Sequence, residues 1–256
     1  MSSAKPMISL IVPCYREEGH LRASYERVTE ILDSSRYPYE IIFVDDVSPD
    51  RTRDVIAEIV AGDPRTRAIY HEKNTGRGGA VKTGVDASRG EIVGFVDIDL
   101  EVDACYIPSM ALEIERGADV AYGYRFYNLR YDTAFRWITT KGYVRLTALL
   151  LGQPPRDTES GYKFFRKSRI LPVLARCKNQ HWFWDTEIIT RAALAGLVIH
   201  SRPVLFVRRN DKASTVKLVS DTREQFVELL RLRRELESEP PLLVPPQGPI
   251  EPWRGT

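Results

Sequence analysis

Residues 91–99 read EIVGFVDID, a short apolar run that ends in two carboxylates. Its β-branched and aromatic residues predict a buried strand that stops at Asp97. Three upstream strands of the same character are predicted at Ile8–Val12, Tyr39–Val44 and Arg67–His71. Segments with helical spacing separate them, at Glu18–Leu32, Asp50–Ala61 (with Asp50 as a candidate N-cap) and Gly79–Ala87. This alternation predicts an α/β fold with a mostly parallel central sheet flanked by crossover helices.

Downstream of residue 99 the same pattern continues with less regularity. Strands are predicted at Val120–Tyr122 and Val198–Val207, and a short strand or bend at Gly161–Phe165. Helices are predicted at Tyr106–Arg116, Ala134–Leu151, Phe183–Ala195 and Thr222–Leu236. Residues 239–256 hold six of the 16 prolines, which predicts an extended tail after a single domain of residues 1–238.

Composition excludes several classes of protein. The 256 residues carry 37 Lys and Arg against 35 Asp and Glu, a balance that argues against a nucleic-acid-binding protein. Cys14, Cys105 and Cys177 form no CxxC pair or Cys/His cluster, so neither a disulfide framework nor a structural zinc site is expected. No apolar run approaches the roughly 18 residues that a spanning helix needs, and residues 1–6 do not read as a signal peptide. We therefore expect a cytoplasmic protein.

Acidic residues follow three of the predicted strands. They are Glu17–Glu18 after the first strand, Asp45–Asp46 after the second and Asp97–Asp99 after the fourth. Ligands of parallel sheets bind beyond the carboxyl ends of the strands, so these acids are expected to converge on one edge. Each cluster alone also fits a solvated strand end or a helix cap. Together they predict a compensating cation, since crowded carboxylates repel each other.

The spacing Asp97-x-Asp99 places two carboxylates on the same side of an extended segment. Both can then reach one hard divalent ion, Mg²⁺ or Mn²⁺, and Glu101 has the right parity to assist. The glycine-rich segment Lys73–Ala80, which contains Gly78, opens a predicted helix. Its small residues suit either anion binding by backbone N–H groups or close packing of the helix.

These segments together resemble the family 2 glycosyltransferases of the GT-A fold. The resemblance rests on ISLIVPCYREE, IIFVDDVSPD, KNTGRGGAVKTGV and GEIVGFVDIDLE in the first half of the chain. In the second half, GYR, DTESGYKFF and WFWDTEI resemble the polyprenyl-phosphate branch, which includes the dolichyl-phosphate glucosyl- and mannosyltransferases. The resemblance covers roughly residues 7–235. The predicted domain then has a nucleotide-binding half at about 7–125 and an acceptor half at about 126–238.

The resemblance implies roles for individual residues. A nucleotide-sugar donor would be bound by Pro13, Tyr15, Glu17, Val44, Asp46, Gly78, Asp97, Ile98, Asp99, Arg125 and Arg209. Arg125 would contact the phosphate of either the donor or the acceptor. Asp97 and Asp99 would hold the metal ion on the diphosphate, with Glu101 standing where mannosyl relatives often have Gln. Asp157 occupies the place of the proposed catalytic carboxylate and, with Asp99, completes the predicted catalytic set. The later basic loop departs from the family, since Thr215 stands where relatives have a lysine.

The implied reaction is an inverting, metal-dependent transfer of a hexose from a UDP- or GDP-linked sugar to a polyprenyl phosphate. A hydroxyl acceptor would need Asp157 as general base, whereas a phosphate acceptor is already largely ionised, so that Asp157 would orient it. The alternatives are the same donor chemistry on a soluble hydroxyl acceptor, or a non-catalytic nucleotide-sugar sensor. The helices predicted at Ala134–Leu151 and Thr222–Leu236 are amphipathic and basic. They fit either core packing or peripheral contact with the cytosolic face of a membrane.

Overall fold

The computed structural model describes residues 7–127, 142–152, 157–208 and 218–250. Its strands are β1 (Ile8–Cys14), β2 (Tyr39–Asp45), β3 (Thr66–Tyr70), β4 (Ile92–Val96), β5 (Val120–Tyr127), β6 (Tyr162–Arg166) and β7 (Ile199–Phe206). The helices are α1 (Leu21–Asp33), α2 (Thr52–Gly62), α3 (Gly76–Ala87), α4 (Ile107–Glu115), α5 (described over 142–151), α6 (Lys167–Leu174), α7 (Trp184–Leu194) and α8 (Leu218–Ser238).

The strands form a single seven-stranded sheet in the order β3-β2-β1-β4-β6-β5-β7. Every pairing is parallel except those of β6, which runs antiparallel to both β4 and β5. The first residue of β6 therefore lies at the edge where β4 ends, with Tyr162 opposite Val96. This reversal brings the segment just before β6 to the carboxyl edge of the parallel strands. The predicted α/β fold with a mostly parallel sheet is confirmed.

Two apolar clusters cover the two faces of the sheet. Alternate β1 side chains point to opposite faces, with Leu10 in one cluster and Ile11 in the other. The first cluster packs against α1, α2 and α4, and the second against α3, α6 and α7. A smaller third cluster joins α5 to α8 through Leu151, Leu229 and Leu232. The apolar face of α8 is thus used in packing, in line with the core-packed alternative for that helix.

Several boundaries differ from the sequence predictions for physical reasons. Helix α2 begins at Thr52, so that Arg51 and not Asp50 holds the N-cap position. The Asp50 carboxylate still accepts hydrogen bonds from the Thr52 N–H and hydroxyl at 3.2 and 2.6 Å. Helix α3 begins at Gly76, three residues before the prediction. Helix α6 was not predicted, since its interior proline, Pro172, is ordinarily a helix breaker.

The proline-rich segment after α8 lies along the domain without helix or strand over residues 240–250. Its carbonyl groups accept hydrogen bonds from arginines of β6 and α6, including Arg169 to Val244 at 3.4 Å. Leu242 and Val244 pack on the second cluster, whereas Ile250 is buried in the first. This tail therefore bridges both faces of the sheet. In the described part of the chain, no helix has the combined length and apolarity to cross a bilayer.

Candidate active site

The carboxyl edge of the sheet gathers the predicted donor residues of the first half. Pro13 lies opposite Val44 in the β1–β2 pairing, and the backbone N–H of Asp46 donates to the Cys14 carbonyl at 3.0 Å. Tyr15 follows β1 with 44% of its surface exposed. Glu17 is buried, and its backbone N–H donates to the Thr52 hydroxyl at 2.8 Å. The ends of β1 and β2 thus form one continuous wall, as the sequence predicts for parallel strands.

The Asp46 carboxylate organises the glycine-rich turn rather than standing open. Its oxygens accept hydrogen bonds from the N–H groups of Thr75 and Gly76 at 2.8 and 2.7 Å. A ring nitrogen of His71 lies 2.8 Å from the same carboxylate. Asp46 therefore satisfies N–H groups at the start of α3 that a helix leaves without internal partners.

The start of α3 is closely packed against the segment that leads into α7. Gly79 donates its N–H to the Gln180 carbonyl at 3.0 Å. A Cβ on Gly78 would lie 2.6 Å from the Trp184 side chain, so only glycine fits there. Of the two alternatives for this segment, the described contacts are those of close packing.

Asp97, the residue after β4, forms a two-point ion pair with Arg77. Arg77 Nε lies 2.8 Å from Asp97 Oδ1, and Arg77 Nη2 lies 2.9 Å from Oδ2. Burial raises the pKa of Asp97, although the Arg77 guanidinium opposes that rise. The next residue, Ile98, is buried and turns its side chain into the first cluster. Arg77 was not singled out from the sequence, since it is 20 residues distant from its partner.

Asp99 and Glu101 lie on the turn beyond Asp97. Both are partly exposed, and Asp99 Oδ1 accepts the Glu101 N–H at 3.3 Å. Leu100 between them has a positive φ of 50°, which turns the chain sharply. Asp99 also lines an open cavity of about 340 Å³ with Ala23, Ser24, Leu100, Val207 and Arg208. The DxD segment therefore faces solvent space at the sheet edge.

These carboxylates fit a divalent cation that takes part of its shell from a ligand. Among the described residues no group of three His, Cys, Asp or Glu side chains is already arranged around one point. Oxygen ligands nevertheless suit Mg²⁺ and Mn²⁺, and Mg²⁺ usually binds through one or two carboxylates, waters and substrate phosphates. The donor set of Asp97, Asp99 and Glu101 is of that kind.

A second charged group approaches from β5 and the segment before β6. Arg125 Nε and Nη2 lie 3.1 and 2.8 Å from the two oxygens of Asp157, and Nη2 lies 3.0 Å from Glu159. Burial raises the pKa of Asp157, but the Arg125 guanidinium outweighs it and holds that pKa below its usual value. Asp157 is therefore an ionised carboxylate fixed in orientation.

Two buried charges behind this site were not predicted as functional. Lys163 on β6 is fully buried, and its Nζ lies 2.6 Å from Asp185 Oδ1 at the start of α7. Asp185 also pairs with Arg77. Asp185 lies inside the WFWDTEI motif and Lys163 inside DTESGYKFF, so both motifs mark this pairing. In the sequence, Lys163 stands between the aromatic residues Tyr162 and Phe164 of a buried strand. This buried lysine is the signal that could have indicated a partner carboxylate.

The described site thus joins residues from both halves of the chain. The Asp97 N–H donates a hydrogen bond to the Gly161 carbonyl at 3.1 Å, which ties the segment before β6 to the end of β4. Arg209, predicted to bind the donor, lies outside the described residues, as does most of the loop up to Leu218. The part of the predicted helix Ala134–Leu151 before residue 142 lies outside them too.

The sequence profile of Glycosyl transferase family 2 matches residues 9–181. The chain belongs to glycosyl transferase family 2. That segment includes β2 to β6, all of β1 but its first residue, and the predicted site residues from Pro13 to Asp157. The resemblance to this family found in the sequence is confirmed.

Curated relatives lie within the same group of enzymes. Over 240 residues the chain is 28% identical to the glycosyltransferase AglD of Haloferax volcanii, covering 91% of this chain and 38% of that protein. Over 208 residues it is 27% identical to dolichyl-phosphate beta-glucosyltransferase of Homo sapiens, covering 73% of this chain and 63% of that protein. The chain therefore spans less than two thirds of the length of these relatives.

Solved structures share the fold of this family at low sequence identity. Glucosyl-3-phosphoglycerate synthase from Mycobacterium tuberculosis, in complex with UDP, superposes with a TM-score of 0.67 at 20% identity. The match covers 91% of this chain and 82% of that one. The mannosyltransferase PcManGT from Pyrobaculum calidifontis gives a TM-score of 0.57 at 14% identity, over 93% and 66% of the chains. The predicted GT-A fold is confirmed.

Proposed function

We propose that this glycosyltransferase moves a hexose, with inversion, from a UDP- or GDP-linked sugar to a polyprenyl phosphate, with Mg²⁺ or Mn²⁺ as cofactor. Its main support is the DxD segment, which follows β4 at the carboxyl edge and is tied there to the segment of Asp157 before β6. The 27% identity to a dolichyl-phosphate beta-glucosyltransferase supports the lipid acceptor. The site would lie at the cytosolic face of a membrane.

The donor assignment is supported by the edge geometry and by the ligands of proteins with the same fold. The ends of β1 and β2 supply Pro13, Tyr15, Glu17, Val44 and Asp46 as one wall, which would bind the base and ribose. Complexes of the synthase from Mycobacterium tuberculosis contain UDP with Mn²⁺ or Mg²⁺. The complex of PcManGT contains GDP-Man and Mn²⁺.

Asp97, Asp99 and Glu101 would hold the metal ion beside the donor diphosphate. When bound, the ion would neutralise negative charge on the departing nucleoside diphosphate. The protein would position the metal ligand, because Arg77 fixes the Asp97 carboxylate at two points. Asp99, on the sharp turn at Leu100, faces the open cavity at the edge.

Asp157 is suited to orientation more than to proton removal. Its pKa is held low by Arg125, and an acid of lowered pKa is a weak base at neutral pH. A phosphate monoester has a second pKa of about 6, so it needs no base to become a nucleophile at neutral pH. The Asp157–Arg125 pair therefore supports a phosphate acceptor, with Arg125 as the cation that contacts it.

Exposed apolar side chains beside Arg125 support a lipid acceptor. Phe126 is 63% exposed, and its partner in the β5–β7 register, Leu205, is 46% exposed. Val207 follows β7 with 59% exposure. These side chains would contact the first isoprene units while Arg125 meets the phosphate.

The deciding experiment follows the label from a radioactive nucleotide sugar. The purified protein is incubated with Mn²⁺, UDP-[¹⁴C]glucose or GDP-[¹⁴C]mannose, and vesicles that contain polyprenyl phosphate. We expect label in the organic phase, and none with Asp99→Asn. Label that stays in the aqueous phase with every polyprenyl phosphate would contradict the lipid acceptor.

A soluble acceptor is the second candidate. The specific observation in its favour is the fold match to glucosyl-3-phosphoglycerate synthase, solved with phosphoglyceric acid, over 82% of the UDP-bound chain. The same incubation with 3-phosphoglycerate or simple hydroxyl acceptors in place of vesicles would give labelled water-soluble product. A thermal-shift screen of UDP-, GDP- and dTDP-sugars with Mn²⁺ selects the donor, because a bound ligand raises stability according to its affinity.

A further inference from the structure

A chain of alternating charges leads from the DxD segment into the core. Asp97 pairs with Arg77, Arg77 pairs with Asp185, and Asp185 pairs with Lys163. The Asp97 side chain is 34% exposed, whereas those of Arg77, Asp185 and Lys163 are 10%, 2% and 0% exposed. Two carboxylates thus face two cations, and the set is neutral as a whole.

Arg77 is fixed in this chain from several directions. Its guanidinium lies 5.2 Å from the Phe95 ring centre and 5.1 Å from that of Trp182. The backbone of Gly161 approaches so closely that a Cβ there would overlap both Asp97 Oδ2 and Arg77 Nη2. A planar guanidinium held between two rings, with two parallel bonds to one carboxylate, has little freedom to turn.

Arg77 is therefore tied to Asp97 by geometry as well as by charge. Both Asp97 oxygens accept from it, so the direction of this carboxylate is set from inside the protein. The buried Lys163 keeps Asp185 paired, which in turn leaves Arg77 between two carboxylates. Without Arg77, Asp97 would lose its orientation and one compensating charge together.

We propose that Arg77 is a positioning residue of the transfer reaction, which holds the first carboxylate of the DxD segment in place and offsets its charge. The inference rests on the proposed function, because it assigns Arg77 a role in binding the metal and the nucleoside diphosphate. Arg77 acts through Asp97 and not by its own contact with the donor. Asp185 and Lys163 hold Arg77 in turn.

The first test measures the affinity for Mn²⁺ alone by titration calorimetry. Arg77→Met and Arg77→Lys both lose the two parallel bonds to Asp97, but only Arg77→Met also loses the positive charge. Arg77→Met should therefore bind Mn²⁺ about 15-fold more tightly than Arg77→Lys, the effect of one unit charge on a divalent ion at about 5 Å in water. Arg77→Lys keeps the charge without orienting Asp97 and should bind Mn²⁺ no more tightly than wild type. Equal affinities of Arg77→Met and Arg77→Lys for Mn²⁺ would overturn the proposal, because the charge of residue 77 would then not act on the metal site.

The second test is a double-mutant cycle on the affinity for UDP in the presence of Mn²⁺. If Arg77 acts through Asp97, then Arg77→Met, Asp97→Asn and the double variant lose UDP affinity by a similar factor, about tenfold or more. A direct contact between Arg77 and the donor would instead make the double variant weaker by the product of the two factors. Arg77→Lys keeps the charge without the two-point grip, so its UDP affinity should stay reduced.

Arg169→Met is the matched control. Arg169 is buried and makes the same two-point pair with Asp119, at 2.8 and 3.2 Å, on α6 away from the DxD segment. It should lower the melting temperature and leave both affinities unchanged; equal losses in Arg169→Met would show a merely structural effect and overturn the proposal. Wild-type protein that binds neither UDP nor GDP with Mn²⁺ would overturn the proposed function as well, which separates that failure from this one.

Discussion

Single side chains in this member of glycosyl transferase family 2 are held by partners that are distant in sequence. The contact between Arg125 and Asp157 spans 32 residues, and the contact between Arg77 and Asp185 spans 108. Sequence spacing identifies which acids end strands, because strand ends follow from hydrophobic patterns. It does not identify these ion pairs, because the partner of a side chain depends on how the sheet is ordered.

Asp157 should contribute a pH-dependent part of the stability. Its folded-state pKa lies below the ordinary aspartate value, so this contribution is present above about pH 4 and is lost as the pH falls through the folded-state pKa. Urea unfolding should show Asp157→Asn less stable than wild type by about 1–3 kcal/mol at pH 7. The difference should shrink below about pH 4. A gap that is independent of pH would contradict the ionised pair with Arg125.

Gly161 should be intolerant of a side chain because of Asp97. A Cβ at residue 161 would overlap Asp97 Oδ2 and Arg77, so Gly161→Ala should displace the DxD carboxylate and lower turnover by about 100-fold. Gly62→Ala is the control, since a Cβ at Gly62 meets nothing within 4 Å. Steady-state rates with the labelled donor measure both variants. Equal activity of Gly161→Ala and wild type would show that Asp97 and Arg77 can move to accommodate the Cβ without loss of function.

At the scale of elements, hydrophobic periodicity located most helices and strands. It did not predict α6, because the helix contains Pro172. It also did not predict the antiparallel direction of β6, because the pattern of a five-residue strand contains no information on direction. The order of the sheet places β6 between β4 and β5. For this reason the convergence of Glu17, Asp46 and Asp97 could be predicted, whereas the approach of Asp157 to the same edge was implied only by family resemblance.

The start of α3 gives a prediction at this scale. Asp46 accepts hydrogen bonds from the N–H groups of Thr75 and Gly76, so Asp46→Ala should destabilise the protein by about 2–4 kcal/mol through several lost charge-assisted bonds. Asp54→Ala, on the exposed side of α2, should change the unfolding free energy by about 0.5 kcal/mol or less. Urea unfolding monitored by circular dichroism compares the two. Similar losses in both variants would argue against the capping role of Asp46.

At the scale of the whole molecule, the tail joins the two faces of the sheet. Its docking could not be predicted, because prolines and single apolar residues show no periodicity. Ile250 is 4% exposed in the first cluster, whereas Leu243 is 77% exposed. Ile250→Ala should therefore cost about 2–4 kcal/mol of unfolding free energy, and Leu243→Ala about 0.5 kcal/mol or less. If the two variants unfold alike, the tail does not contribute to the core.

The antiparallel strand β6 also has a consequence for how the molecule assembles. Strands β1, β2 and β3 pair through single crossovers, but Ile8 on β1 must find Ile92 on β4. Ile92 must in turn find Arg166 on β6, and Val120 on β5 must find Ile199 on β7. Such long-range pairings slow folding, because the loop must close before the contacts stabilise it. The Asp97 and Asp157 segments are joined only once β6 has inserted between its neighbours. Catalytic activity should therefore return during refolding only after most of the helical signal has returned. The rate at which activity returns would measure the rate of β6 insertion.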